Sequence, residues 1–391
     1  MAAAMSSLSV SVEMLRWAAE KLGTSIQGLA TDYAAPSRTD KFVRGELTAT
    51  QATKLASKVG IPFGYLFLDK PPAEERRSDI PDLRQLPSAE PLGSTFFDVL
   101  DDLDSKVAWF RQYLRVHDID PPTFVGSFNV ANSTPEAVAK DITKTLRLDS
   151  AEHRQGGQTS EELFNFLAAR LESVGVLVFR SGVAKGNPHR PLPLTEFRGF
   201  AVADEEVPVV FINGRDSPAA WVFTLIHEAA HIWIGQSGIS DVSASTRNRY
   251  KGTEAFCNQV AAEVLTPERE FRALWKQHSP EDSIVFLARH FGVSRLVVAR
   301  RALDFALIEQ DTYDAVAAAS TVTRKSSGGN PYATIPIRSS RRFTSAVVNS
   351  AIAGETLLRE AARLLNSTPN TVVELHRRHS EQNPEEGALD A

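Results

Sequence analysis

Between Trp221 and Ile234 the chain reads WVFTLIHEAAHIWI, apolar at nearly every position except two histidines and a glutamate at its centre. A helix that is hydrophobic all round has no face to offer water, so it has to run through the middle of a domain. His227, Glu228 and His231 are carried inside with it. Two histidines at i and i+4 lie one turn apart on the same face. Both imidazoles can therefore bind one metal ion, and Glu228 is placed to reach a water at that ion. A buried His–Glu–His cluster with nothing to coordinate would be costly to desolvate.

Catalytic zinc takes three protein ligands and leaves one position open. Downstream donors are Glu254, Cys257, Glu263, His278 and His290. The segment TEAFCNQVAAEVLTP reads as a second amphipathic helix, with Thr253 as its cap. On it Glu254, Cys257, Asn258, Ala261 and Leu265 share one face, and Glu263 points elsewhere. Glu254 is the expected third ligand and Asn258 its neighbour one turn on, orienting a ligand by hydrogen bonding. Cys257 is the competing donor and would make a softer His₂Cys site.

The rest of the chain sets limits on what surrounds this site. Its 391 residues exceed one small domain. No apolar run approaches the roughly 18–20 residues of a membrane span. The opening MAAAMSSLSVSVEM lacks a basic start and meets Glu13 early, so no secretory signal is expected. A single cysteine excludes a disulfide framework and a cysteine-based zinc finger. These features place the expected protein in the cytoplasm, with no membrane partner. A net charge of −5 argues against coating nucleic acid through bulk charge.

Helical spacing of Met14, Leu15, Ala18, Ala19 and Leu22, closed by Gly23, opens a bundle of short helices over residues 1–72. Thr24 or Ser25 starts a second helix through Ala30, a third region covers Lys41 to Gly45, and Thr50 to Val59 is amphipathic again. Residues 73–95 are rich in Pro, Ser and charge and read as a linker. Residues 96–312 hold helices at 97–118, 135–146 and 160–174, then strand-like runs at 176–179, 199–203 and 207–212, then the histidine helix. The remainder, 313–391, reads as helical, with nine Lys/Arg against three Glu over 324–379, a block able to meet phosphates or an acidic partner. The pattern Ala, three residues, then Gly or Asn recurs at Ala56–Gly60, Ala288–Gly292 and Ala362–Asn366. The fold class expected is α+β and mostly helical.

The run VVFINGRDSPAAWVFTLIHEAAHIW, followed by EAFCNQVAAEVLTP, resembles the ImmA/IrrE family of metallopeptidases over about residues 160–312. Members show a strand ending in Asn, then F-T-x-x-H-E-x-x-H, then E-x-x-[AC]-N. The resemblance implies a zincin-like domain with a small sheet, His227, His231 and Glu254 as Zn²⁺ ligands, and Glu228 as catalytic base. Members often carry arginine just before the F-T pair, where this chain has Trp221 and Val222. An oxyanion stabiliser is expected, with Tyr250 and the outlying histidines as its candidates. The implied substrate is a specific protein, such as a helix-turn-helix repressor, cleaved in a stress or mobile-element response.

Residues 1–72 resemble the phage-repressor (XRE) class of helix-turn-helix domains, often joined to ImmA/IrrE domains by an element like IPDLR at 80–84. The resemblance implies DNA contacts through Arg38, Lys41 and Arg44. The local balance is eight Lys/Arg against six Asp/Glu, a weak basic footprint, and Pro36 interrupts the region of the recognition helix. The competing reading is a helical module for protein contacts or homodimerisation. The alternative for the whole chain is a DNA-binding regulator or antitoxin that holds a toxin partner, with a structural metal domain.

Overall fold

The computed structural model describes residues 7–22, 24–59, 61, 63–71, 92–148, 159–240, 252–275, 279–319 and 331–382. The chain divides into two compact units, Met1–Ser78 and Asp79–Ala391.

In the first unit, helices α1 (Val12–Lys21), α2 (Ile26–Tyr33), α3 (Thr39–Val43) and α4 (Ala49–Val59) surround a core of Met14, Leu15, Leu29, Phe42, Leu47 and Leu55. Ser11 and Ser25 cap α1 and α2 by accepting from the backbone N–H three residues on. Ser25, of the two expected residues, is thus the cap, and α2 runs on to Tyr33. Pro36 opens a short 3₁₀ turn that separates α2 from α3, as its fixed φ and missing N–H require. The sequence pattern does not reveal a two-stranded antiparallel ribbon, β1 (Ser7–Ser9) with β2 (Glu46–Thr48), which ties the start of the unit to the turn before α4. Strands of three residues carry too little alternation to be read. The closing glycine expected at Gly23 lies outside the described residues, as do Gly60 and the IPDLR segment.

The second unit is built on a four-stranded sheet with order β3 (Leu177–Ser181), β5 (Val209–Asn213), β4 (Gly199–Val202) and β6 (Gly238–Ser240). β3 and β5 are parallel, while β4 runs antiparallel to both β5 and β6. β5 is buried along its whole length, and its pleat divides its side chains between two cores. Val210 and Ile212 face the core that contains α6 (Pro135–Thr145), α7 (Ser160–Ser173), α8 (Pro218–Trp233) and α9 (Thr253–Leu265). Val209 and Phe211 face the core that contains α5 (Ser94–Val116) and the C-terminal helices. On the α8 side the chain continues through α10 (Glu268–Trp275), α11 (Pro280–His290), α12 (Arg295–Asp304) and α13 (Gln310–Ala319). On the other side α14 (Pro331–Arg338), α15 (Arg341–Ile352), α16 (Leu358–Leu364) and α17 (Pro369–Gln382) close the chain. The architecture is α+β and mostly helical, as expected.

The sequence boundary at 312/313 falls inside this unit, because Phe343, Val347 and Leu365 share a core with Phe96, Phe110 and Phe179. The cations of the basic block at 324–379 divide into two groups. Arg338 donates to the carbonyls of Leu365 and Asn366, and Arg342 donates to the carbonyl of Glu172. Arg377 and Arg378 both pair with Glu374. Arg338 and Arg342 thus turn to backbone carbonyls, while Arg341, Arg359 and Arg363 of the same block are exposed. Arg324 and Lys325 lie outside the described residues. Among the described residues no helix is long and apolar enough to cross a membrane.

Candidate metal centre

The histidine helix α8 is placed by its own entry. Asn213, fully buried at the end of β5, donates to the carbonyl of Phe197 and accepts from the backbone N–H of Arg215. Arg198 pairs with Asp216, which pins the same turn to the start of β4. Ser217 then caps α8, and Pro218 takes the first helical position, where its missing N–H costs nothing. Every residue from Val222 to Trp233 is buried. Trp233 stacks on Phe124 and donates its indole N–H to Asp141 at 2.9 Å, which fixes the far end of the helix.

His227, His231 and Glu254 come together as the sequence predicts, with one donor atom from each inside a 4.8 Å cluster. The two Nε2 atoms are 3.2 Å apart. Glu254 brings its carboxylate to 3.3 Å from His227 Nε2 and 3.0 Å from His231 Nε2. Zinc bonds of about 2.0–2.1 Å arranged tetrahedrally separate ligand atoms by roughly 3.3 Å. The three donors therefore already stand at the spacing of one small tetrahedral ion. His231 Nδ1 lies 3.1 Å from the carbonyl of Gln236, a pairing that makes Nδ1 the protonated nitrogen and leaves Nε2 free to coordinate. Asn258 lies beside the His227 ring, but its Oδ1 and His227 Nδ1 are both buried without a hydrogen-bond partner of good geometry. Burial favours the uncharged His227 imidazole and pushes its pKa down, against the pull of Glu254. Burial would raise the Glu254 carboxyl, yet the two imidazoles hold it at about 2. A carboxylate beside two imidazoles is a donor set suited to a divalent cation.

Glu228 is fully buried, and neither carboxylate oxygen has a hydrogen-bond partner of good geometry. Burial, with the Glu254 charge adding to it, pushes its pKa well above the usual carboxylate range. A proton-accepting group held unsatisfied in a dry site is poised to serve a reacting water rather than the fold.

The other candidate donors fall elsewhere. Cys257 packs in the apolar core, where burial drives its thiol pKa well up, so it is not among the converging donors. Glu263 pairs with Arg301, and His290 with Glu270. His278 and Tyr250 lie outside the described residues. Thr253 does not cap α9: Gly252 occupies that position, and the Thr253 hydroxyl donates instead to Gln236 at 2.8 Å. In the first unit, Lys41 and Arg44 are exposed and Arg38 half-buried around the buried Phe42. Where members of the resembling family carry arginine, Val222 is buried, and the Arg180 guanidinium lies 4.1 Å over the Trp221 ring.

Two residues at the site carry no motif. Ser240 on β6 is fully buried, with its hydroxyl 3.3 Å from His227 Nε2, and nothing in the sequence marks it. Gly199 on β4 lies against α8, and a Cβ there would meet Thr224 Cγ2 at 2.6 Å and Glu228 Oε1 at 3.0 Å. An isolated glycine inside a strand is the available signal for such a close approach. Gly199→Ala is therefore expected to displace Glu228 and lower turnover by about tenfold or more, with metal content unchanged. Steady-state kinetics beside metal analysis checks this, and wild-type turnover would contradict the packing role.

With that geometry in view, the comparisons bear on it. Residues 171–303 match the model of peptidase family M78, the IrrE N-terminal-like domain. The M78 match spans both ligand helices and begins just before β3. It supports the ImmA/IrrE resemblance and a peptidase at the coarse level. Residues 339–378 match a second model, a domain of unknown function (DUF8813). No curated protein matches the chain.

Proposed function

We propose that the protein is a cytoplasmic, regulatory, zinc-dependent metalloendopeptidase that cleaves a specific protein, such as a helix-turn-helix transcriptional repressor, in a stress or mobile-element response. The observation that carries this reading is the convergence of His227, His231 and Glu254 at tetrahedral spacing beside the unpartnered Glu228. A zinc ion held by those three residues supplies Lewis acidity to the carbonyl and makes water a nucleophile near neutral pH. Glu228 takes the proton of the attacking water and delivers it to the leaving amine nitrogen. His231, anchored through Nδ1 by the carbonyl of Gln236, keeps its Nε2 atom turned toward the site through the reaction. The apolar walls of α8 and α9 exclude bulk water, which strengthens each electrostatic contact.

Incubation with a helix-turn-helix repressor, such as any encoded beside it, is the direct test. Cleavage at a defined bond, stopped by a chelator and restored by Zn²⁺, is the expected result; cleavage indifferent to the chelator would overturn the reading. The same chelation is expected to destabilise the second unit, by about 4 kcal/mol where free zinc had stood at roughly a thousand times its Kd. Thermal melts with and without chelator measure this.

A second reading is a DNA-binding regulator or antitoxin that holds a toxin partner. It rests on Lys41 within the short helix α3 and on Arg38 and Arg44 at its two ends, spaced i, i+3, i+6 around the buried Phe42. It predicts that Lys41→Ala and Arg44→Ala abolish a gel shift on the chain's own upstream DNA while Glu228→Gln leaves function intact. Loss of function in Glu228→Gln with an unchanged shift would exclude it.

A further inference from the structure

On the sheet face opposite α8, a partly open cleft lies where α5, the end of β3 and the C-terminal helices meet. Its charged lining consists of Lys106, Lys185 and Arg338 against the single carboxylate of Asp102. Lys106 is 3% exposed and pairs with Asp102 one turn away on α5. Asp102 also accepts from Asn366 Nδ2 at 3.0 Å through both oxygens, so its capacity is taken up inside the wall. Arg338 gives Nη2 to two backbone carbonyls, while its Nε is buried and has no partner. A Cβ on Gly186 would meet Arg338 Nη1 at 2.6 Å, so the absence of a side chain there makes room for the guanidinium. Lys185, beside it, holds a left-handed φ of 49° at the mouth, a conformation that a non-glycine residue keeps only under constraint. Outside the cleft Asp98 pairs with Arg190 and lies 3.5 Å from Lys185.

Lys106, Lys185, Arg338 and Arg190 thus stand against Asp102 and Asp98, which leaves two positive charges over around a half-enclosed space at the carboxyl ends of the parallel strands β3 and β5, where open α/β sheets place their ligands. Burial holds the Lys106 ammonium below its ordinary pKa, and the Arg338 and Lys185 charges add to that, although Asp102 opposes them. An anion would relieve the strain of gathering these cations.

We infer that this cleft is a binding site for a small phosphate-type dianion, free or as the phosphate end of a small monoester, held by Lys185, Arg338 and Lys106. The guanidinium and ammonium groups supply charge-assisted donors of the kind phosphate oxygens accept. The cleft combines the helix preceding the M78 match with residues around α14 and α16, so it is independent of the metal centre.

Calorimetric titration of the full chain with inorganic phosphate, and separately with glycerol phosphate, at ionic strength matched with chloride, tests this. One saturable site per chain is expected. Tighter glycerol phosphate would identify the monoester as the ligand, and equal or weaker binding would identify the free anion. Lys185→Gln, at a partly exposed side chain, is expected to bind about tenfold more weakly. Asp102→Asn, which removes the opposing charge, is expected to bind about fivefold more tightly, a gain that damage to the fold would not produce. Glu254→Gln, at the metal donors, should bind as wild type. The site is overturned if neither anion binds beyond chloride, if both cleft variants bind as wild type, or if Glu254→Gln is the variant that abolishes binding.

Discussion

Glu228→Gln is expected to lower cleavage of the protein substrate by about 10²–10⁴-fold while the metal stays bound. The side chain is fully buried among the walls of α8, so an amide of the same shape fits the space. What the substitution removes is the basic oxygen pair, which has no hydrogen-bond partner in the fold to compensate for its burial. Because His227, His231 and Glu254 supply the donors, metal content should be unchanged. The loss should fall on kcat rather than on substrate affinity, since proton transfer occurs only in the transition state. Cleavage at the wild-type rate would remove Glu228 from the reaction.

Phe343→Ala is expected to destabilise the whole second unit by about 3–5 kcal/mol. Its ring is fully buried and lies 5.7 Å from Trp109, 6.0 Å from Phe110 and 6.1 Å from Phe179. The Ser340 hydroxyl, which caps α15, also donates to the buried Glu172 at the end of α7. The C-terminal helices are therefore bound to the face of β3 opposite the metal helix. Urea denaturation should show one shifted transition. A separate early transition, with the metal-bearing region left at wild-type stability, would mean that the C-terminal helices fold apart.

The metal centre was largely legible in the sequence because its geometry is local. A four-residue spacing fixes His227 and His231 on one helix face, and a four-residue spacing on a second helix aligns Glu254 with Asn258. Turn chemistry was legible for the same reason. The Ala-x-x-x-Gly/Asn pattern marks helix ends where Gly292 and Asn366 take φ of 66° and 48°, the left-handed step after a helix. What escaped is long-range or very short. β6 is three residues with no alternation to read, so Ser240 could not be placed. The sequence likewise does not tell that Arg338, one cation of the C-terminal charge block, turns inward to the end of α16. The cap expected at Thr253 failed because its hydroxyl finds Gln236, a partner seventeen residues away that no local rule supplies.

The most direct measurement of the central claim is zinc content per chain, by elemental analysis of the purified full-length protein beside its His231→Ala and Glu254→Gln variants. One zinc in the wild type, and a loss of at least about tenfold in zinc affinity in each variant, is the predicted result. Zinc retained undiminished in both variants, or a wild type that takes up none when zinc is supplied, would contradict it.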